Sequence, residues 1–452
     1  MHNLNNRKKI YIKTYGCQMN VYDSGTMESL MQPLGYDATK ELNIADLIIL
    51  NTCHIREKAS EKVFSELGRL KNVKSERAKK GNKTLIAVSG CVAQAEGEAI
   101  LKRAPYVDII FGPQTTHLLP ELVYKANRNL GTQVDSSFPI ESKFDHLPIP
   151  KVEGPTAFLS VQEGCDKFCT FCVVPYTRGE EYSRPAADII KEAKVLSSKG
   201  VKEITLLGQN VNAYHGTSLN SKKAWGLGRL IKELADIDGL ARIRYTTSHP
   251  RDLSDELIEA HKSVSKLMPH LHLPVQSGSD KILKSMNRKH TINDYIKLID
   301  KLRNAQPNIA MSSDFIVGFP GEEDEDFDKT IELVKNVKFA HSFSFKYSSR
   351  PGTPASYYKN HVSEEIKSVR LLTLQNLLQE QHIVFNKSFI GQKIPVLITG
   401  KSRHADKMVG RSPYLQPVQL KEQTSSIGKI FMVEVKKLKA TSLIGQRSDM
   451  HL

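Results

Sequence analysis

No apolar run in this chain approaches the length that a membrane helix requires. The longest, such as Leu47-Ile48-Ile49-Leu50, fall far short of the about 20 residues that span a bilayer. The basic amino-terminal stretch, residues 1–9, is followed by no apolar region, so no secretory leader is expected. The expected location is the cytoplasm, away from any membrane. Cysteine is scarce, with six in 452 residues. In a reducing cytosol such thiols serve as metal ligands or catalytic groups rather than as disulfides.

What is present is an ordinary globular composition, 40% hydrophobic and 25% charged, in a chain long enough for two or three domains. The net charge of +15 suits a polyanionic partner, since phosphates are met mainly by Lys and Arg. A generally basic protein with no such partner fits that charge equally well.

Residues 8–112 alternate apolar runs with longer polar stretches. The runs are Ile10-Tyr11-Ile12-Lys13-Thr14, Leu47-Ile48-Ile49-Leu50, Leu85-Ile86-Ala87-Val88 and Val107-Asp108-Ile109-Ile110-Phe111. This pattern predicts a parallel sheet with crossover helices. Residues 130–153, rich in Pro and polar side chains, are expected to be a linker. Beyond them the alternation repeats six times, with strands expected at 157–162, 201–207, 241–247, 271–275, 310–317 and 342–347. Helices fall between, such as 186–198 before Gly200, and a helix over 364–386 closes the region. Six βα units predict an open relative of the (β/α)8 barrel.

The tail changes character. Strand-like runs at 394–398 and 429–435 are punctuated by Gly400, Gly410, Gly428 and Gly445. Eleven Lys and Arg between Lys393 and Arg447, Arg403 among them, face four acids, Asp406, Glu422, Glu434 and Asp449. A small basic β-barrel is expected, of a kind that often holds nucleic acid; a purely structural cap is the competing reading. The fold class is therefore α/β: an amino-terminal parallel α/β domain, an open (β/α)6 barrel and a small β-barrel. The boundaries are expected at 8–125, 151–385 and 388–450.

Cys165, Cys169 and Cys172 form a CxxxCxxC run directly after the first barrel strand. Structural zinc wants a fourth ligand, and none lies nearby. An iron–sulfur cluster with one iron left open fits better, and the carboxyl ends of barrel strands are where active sites sit. The other tips at that face are polar or glycine-rich: Gly208-Gln209-Asn210, Ser248-His249-Pro250, Gln276-Ser277-Gly278, Gly318-Phe319-Pro320-Gly321 and Ser348-Ser349-Arg350-Pro351-Gly352-Thr353. Gln209, Ser248 and Gln276 are the candidate cofactor contacts among them. His249 alone gives no catalytic signal.

Cys17, Cys53 and Cys91 each close a candidate strand of the first sheet. Ligands of open α/β sheets gather outside the carboxyl ends of the strands, so three cysteines there predict a second three-thiolate cluster. Three buried structural thiols are the alternative.

With both triads in hand, the chain resembles the methylthiotransferase family of radical S-adenosylmethionine (SAM) enzymes over nearly its whole length. The resemblance rests on residues 14–20, Asn51-Thr52-Cys53, and 164–185 with its Tyr176-Thr177-Arg178-Gly179. It extends to 206–214, 273–280 and 314–322. It implies an amino-terminal cluster domain, a radical-SAM barrel and a TRAM domain, with two 4Fe–4S clusters and SAM as cofactors. It also implies that SAM is used twice. One molecule methylates a sulfur at the Cys17/Cys53/Cys91 cluster, and another yields the radical that removes hydrogen from carbon 2 of an adenine. The implied substrate is the N(6)-dimethylallyl-adenosine beside the tRNA anticodon, in a loop whose bases are splayed without opening a duplex. The implied partners are the anticodon stem-loop, an electron donor and a sulfur source, and the expected state is a monomer. Siblings acting on threonylcarbamoyl-adenosine in tRNA or on a ribosomal protein aspartate remain as alternatives. So does an iron–sulfur RNA-binding redox sensor without catalysis.

Overall fold

The computed structural model describes residues 7–53, 59–139, 143–219, 223–402 and 407–448. Arg403, Asp406 and Asp449 of the expected basic tail lie outside the described residues. The chain divides into two compact units. One comprises Met1–Val152 with Val173–Glu181, the other Glu153–Cys172 with Tyr182–Leu452.

In the first unit six strands make one sheet: β1 (Lys8–Thr14), β2 (Tyr36–Ala38), β3 (Leu47–Thr52), β4 (Leu85–Gly90), β5 (Ile109–Phe111) and β6 (Gln133–Asp135). Their order is β2-β1-β3-β4-β5-β6, and every pairing is parallel. The helices are α1 (Gln18–Met31), α2 (Ala59–Lys79), α3 (Cys91–Arg103) and α4 (Leu119–Asn127). Period-two alternation sorts the strand side chains. Ile10, Leu47, Ile49, Leu85, Ala87, Ile109 and Phe111 form a core with α1 and α4. Ile48, Leu50, Ile86, Val88 and Ile110 form another with α2 and α3. β3 and β4 are buried throughout, which is why they show as continuous apolar runs. From β1 the chain runs outward to β2, then returns to β3 and proceeds the other way. Such a reversal opens a crevice at the carboxyl ends of the strands. A short helix, α5 (Val174–Arg178), packs on α3 within this unit.

The second unit begins with β7 (Thr156–Ser160) and a small antiparallel pair, β8 (Gln162–Glu163) with β9 (Tyr182–Ser183). The remaining barrel strands are β10 (Glu203–Leu207), β11 (Arg242–Tyr245), β12 (His270–His272), β13 (Ala310–Val317) and β14 (His341–Lys346). Two parallel three-stranded sheets, β7-β10-β11 and β12-β13-β14, meet through the parallel bridge Ile243–Leu267. Six strands thus follow chain order, and among the described residues no ladder closes β14 onto β7. The open barrel is as expected. Its helices are α6 (Ala186–Ser198), α7 (Leu227–Ala235), α8 (Asp255–Ser263), α9 (Asp280–Ser285), α10 (Ile292–Ala305) and α11 (Asp324–Val337), with α12 (Glu364–Lys387) following. Ser254, Thr291 and Ser363 accept hydrogen bonds from the third amide of α8, α10 and α12, which fixes where those helices start.

The tail folds as a closed barrel of β15 (Lys393–Lys401), β16 (Met408–Arg411), β17 (Pro417–Leu420), β18 (Ile430–Lys439) and β19 (Ser442–Arg447). Its core holds Ile394, Val396, Ile398, Met408, Val418, Val433, Val435 and Leu443. The β16–β17 turn is seated on the larger barrel. Arg244 donates to the carbonyls of Pro413 (2.7 Å) and Ser412 (2.8 Å). Arg242 donates to those of Arg411 (2.8 Å) and Pro395 (2.9 Å). Buried Glu203 pairs with Arg244 at 3.1 Å. On the other side Gln416 donates to Asn386 of α12 at 2.7 Å.

The expected linker holds β6, the edge strand of the first sheet, whose Gln-Val-Asp gives no apolar run. The strand expected at 271–275 is the shorter β12, because Pro274 ends its ladder. No helix among the described residues is long and apolar enough to cross a membrane.

Candidate functional site

β1, β3 and β4 are neighbours; Cys53 and Cys91 directly follow β3 and β4, and Cys17 follows β1 by three residues. The ladder aligns Thr14 with Asn51 and Thr52 with Gly90, and Tyr15 N donates to Asn51 O at 2.8 Å beyond the last pair. Neighbouring strands stand about 4.8 Å apart. Cys17, Cys53 and Cys91 therefore issue from one edge of the sheet, beside the reversal of strand order.

Two glycines make this closeness possible. Gly16 has φ +103°, and a Cβ there would lie 2.1 Å from Cys53 Cβ. Gly90 has φ +87°, and its Cβ would lie 2.1 Å from Thr52 O. Only glycine fits both the left-handed backbone and the approach. Asn20 Nδ2 donates to Tyr15 O (2.8 Å) and Thr52 O (2.9 Å), tying the first two loops together. Asn51 Nδ2 donates to Asn20 O at 2.9 Å.

Cys17 immediately precedes α1 and Cys91 is the first residue of α3; the positive end of α1 favours a thiolate at Cys17. The Cys17 thiol is lowered to about 6, chiefly by its hydrogen bond with Cys53; burial opposes the shift and the Arg178 guanidinium assists it. Asn51 Oδ1 and Ser89 Oγ are buried with no hydrogen-bond partner among the described residues. Buried polar atoms are nearly always paired, so these two mark a place where a polar group belongs.

The second triad sits on the loop after β7. Gln162 Oε1 accepts from the amides of Gln209 (2.8 Å) and Asn210 (3.1 Å), and its Nε2 donates to Gly164 O at 2.7 Å. Gln209 Oε1 in turn accepts from Gly164 N at 2.6 Å. The loop's far side is held by Thr170 N to Met286 O (3.1 Å) and Thr170 Oγ1 to Ser285 O (2.9 Å). Arg288 Nη1 donates to Cys169 Sγ at 3.5 Å, so a buried cation stands against a sulfur. Cys165 and Cys172 are partly exposed, Cys169 is buried, and none of the six cysteines is in a disulfide.

Of the three candidate cofactor contacts, Gln209 lies against the cysteine loop. Ser248 is buried at the end of β11, its Oγ without a partner among the described residues. Gln276 follows β12 at φ +81°, bridged to Phe315 of β13. Asn210 Oδ1, His249 Nε2 and Arg288 Nε are likewise buried and unpaired among the described residues. Burial, then the charge of Arg288, drives the His249 imidazole far below its usual range, so it is neutral. No three His, Cys, Asp or Glu among the described residues are arranged around a single metal ion. A four-iron cube makes no such demand, because its three thiolates bind three different irons.

Residues 159–334 match the radical SAM superfamily, 9–112 an uncharacterized protein family designated UPF0004, and 387–447 the TRAM domain. Over 443 residues, 97% of each chain, the sequence is 56% identical to the tRNA-2-methylthio-N(6)-dimethylallyladenosine synthase of Maricaulis maris (strain MCS10). The chain belongs to the radical-SAM tRNA methylthiotransferase family.

Membership of that family makes SAM and 4Fe–4S clusters the methylthiotransferase's cofactors. Among solved structures, the radical SAM methyltransferase TsrM from Kitasatospora setae, with cobalamin and a 4Fe–4S cluster bound, superposes with a TM-score of 0.57 at 13% identity over 77% of each chain. OxsB, a cobalamin-dependent SAM radical enzyme, gives 0.53 at 13% over 82% of this chain and 56% of that one. At such identity the likeness is one of fold. Two arginines escaped the sequence as site residues. Arg178 lies inside the quoted 164–185 stretch but gave no sign of pointing to the first triad, and Arg288 had no signal at all.

Proposed function

We propose that this methylthiotransferase transfers a methylthio group to carbon 2 of the N(6)-dimethylallyl-adenosine next to the anticodon in tRNA, in two SAM-dependent steps with two 4Fe–4S clusters. The carrying observation is the pair of cysteine triads. Each stands at the carboxyl ends of its own set of parallel strands, in a chain 56% identical to an enzyme named for that product.

In this reading Cys17, Cys53 and Cys91 hold one cluster, and Cys165, Cys169 and Cys172 the other. Gln209, Ser248 and Gln276 contact SAM. The domains run 8–125, 151–385 and 388–450. Cys165, Cys169 and Cys172 would hold a cluster that would supply the electron for SAM cleavage, chemistry that no side chain provides.

The chain's own residues orient and support. Gln162 and Gln209 fix the cysteine loop against β10, and Arg288 offsets thiolate charge beside Cys169. Ser248 Oγ and Asn210 Oδ1, without partners among the described residues, offer hydrogen bonds to a polar ligand. Lys393, Lys401, Lys436, Lys437 and Lys439 are exposed on the small barrel and suit the phosphates of the anticodon stem. The enzyme works as a cytoplasmic monomer, with an external electron donor and a sulfur source.

The test is anaerobic incubation of reconstituted enzyme with reductant, SAM and a dimethylallylated anticodon stem-loop, followed by nucleoside mass spectrometry. Gain of a methylthio group on that nucleoside, with 5′-deoxyadenosine, supports the proposal. Product only on a threonylcarbamoyl-adenosine stem-loop would assign the chain to its sibling. Absence of 5′-deoxyadenosine would leave the redox-sensor reading.

A further inference from the structure

Arg178 follows Cys172 by six residues, yet its segment, Val173–Glu181, belongs to the first unit. There its side chain is 3% exposed and pairs with Asp23, itself 4% exposed, at 2.9 Å between Nη2 and Oδ2. The same Nη2 donates to Asn20 Oδ1 at 3.1 Å. Asn20 Oδ1 is also the atom that Cys17 Sγ meets at 3.5 Å. One hydrogen-bonding oxygen therefore separates a fully buried guanidinium from a sulfur of the first triad.

Burying an ion pair is expensive and weak evidence of stabilisation by itself. A buried pair beside a site that collects negative charge has a different use. Three thiolates around a 4Fe–4S core leave the cluster anionic, and each added electron makes it more so. The pair is not symmetric about Cys17: the guanidinium reaches the Asn20 oxygen that Cys17 Sγ meets. In a low-dielectric interior a charge so placed is little screened.

We propose that Arg178, held by Asp23 and Asn20, is a positioning residue for the cluster at Cys17, Cys53 and Cys91: it fixes the Cys17 loop and raises that cluster's reduction potential. The inference rests on the assignment of those cysteines as cluster ligands. Arg178 acts through charge and through Asn20, without ligating iron. Hydrogen bonding and nearby charge are established levers on cluster potential.

The test uses the full-length chain carrying Cys165→Ala, Cys169→Ala and Cys172→Ala, so that one cluster is read, in a redox titration followed by electron paramagnetic resonance. Arg178→Gln is expected to lower the midpoint potential, and Arg178→Lys, which keeps the charge, to hold it near the parent. Asp23→Asn removes the opposing anion and is expected to raise it. Shifts of opposite sign separate an electrostatic role from damage to the fold. Where Arg178→Gln loads no iron, the upward shift in Asp23→Asn still carries the sign. Unchanged midpoints, or both variants moving the same way, would overturn the proposal. A parent chain that binds no iron would instead sink the ligand assignment beneath it.

Discussion

At the scale of single residues, glycine lets the first three sulfur atoms come together. Gly16→Ala adds a methyl 2.1 Å from Cys53 Cβ at a backbone φ of +103°, a strain of about 1–3 kcal/mol or more. The expected outcome is loss of one cluster, with iron falling from about eight to about four per chain, read by iron analysis and by urea unfolding. The triple variant Cys17→Ala, Cys53→Ala, Cys91→Ala is expected to reach the same four; full iron retention in it would refute the ligand assignment.

A second residue-scale prediction concerns pH. His261 is buried, its Nε2 2.7 Å from the Tyr245 hydroxyl, and burial depresses its pKa from 6.5 to about 4. Above pH 6.5 neither folded nor unfolded chain holds that proton. Between 6.5 and 4 the unfolded chain takes it up first, so stability falls as pH falls, by about 3 kcal/mol in all. Urea unfolding of His261→Gln across that range is expected to show a correspondingly shallower loss.

The places of the six cysteines after strand ends were legible because strand ends can be read from local pattern. Arg178 and Arg288 were not, because their meaning depends on which distant loops they touch.

At the scale of elements, β11 spends two of its four residues on the neighbouring barrel. Arg244→Met would strip the donors from the Ser412 and Pro413 carbonyls and leave Glu203 short of a partner. Breaking a buried pair from one side costs about 3–5 kcal/mol. The measurement is hydrogen exchange at β16 and β17 with chemical unfolding, and both strands are expected to lose protection first.

Sequence pattern recovered elements in proportion to their apolar length. β3 and β4 stood out as apolar runs, β13 as a strand-like stretch, α6 as a helical stretch stopped by Gly200, and α12 as a helix-like stretch over 364–386. β6, β16, β17 and β19 were passed over, since three to six residues with few apolar side chains carry no period. The arginines of β11 were opaque because the carbonyls they meet, from Pro395 to Pro413, lie far along the chain.

At the scale of the whole molecule, the net charge of +15 sets how substrate affinity should respond to salt. With six or more phosphate contacts, binding of an anticodon stem-loop is expected to weaken about 10³-fold or more between about 50 and 200 mM salt. Filter binding across a salt series measures the slope, and a flat line would remove the small barrel from RNA recognition.

The chain crosses between its two units three times, after Val152, after Cys172 and after Glu181. No single cut can therefore release either unit whole. A fragment ending at Val152 would keep Asp23 but forfeit the guanidinium paired with it. Gene fusions, split-protein reporters and domain swaps among relatives would have to exchange residues 173–181 together with the amino-terminal unit, or import a foreign charge into its core.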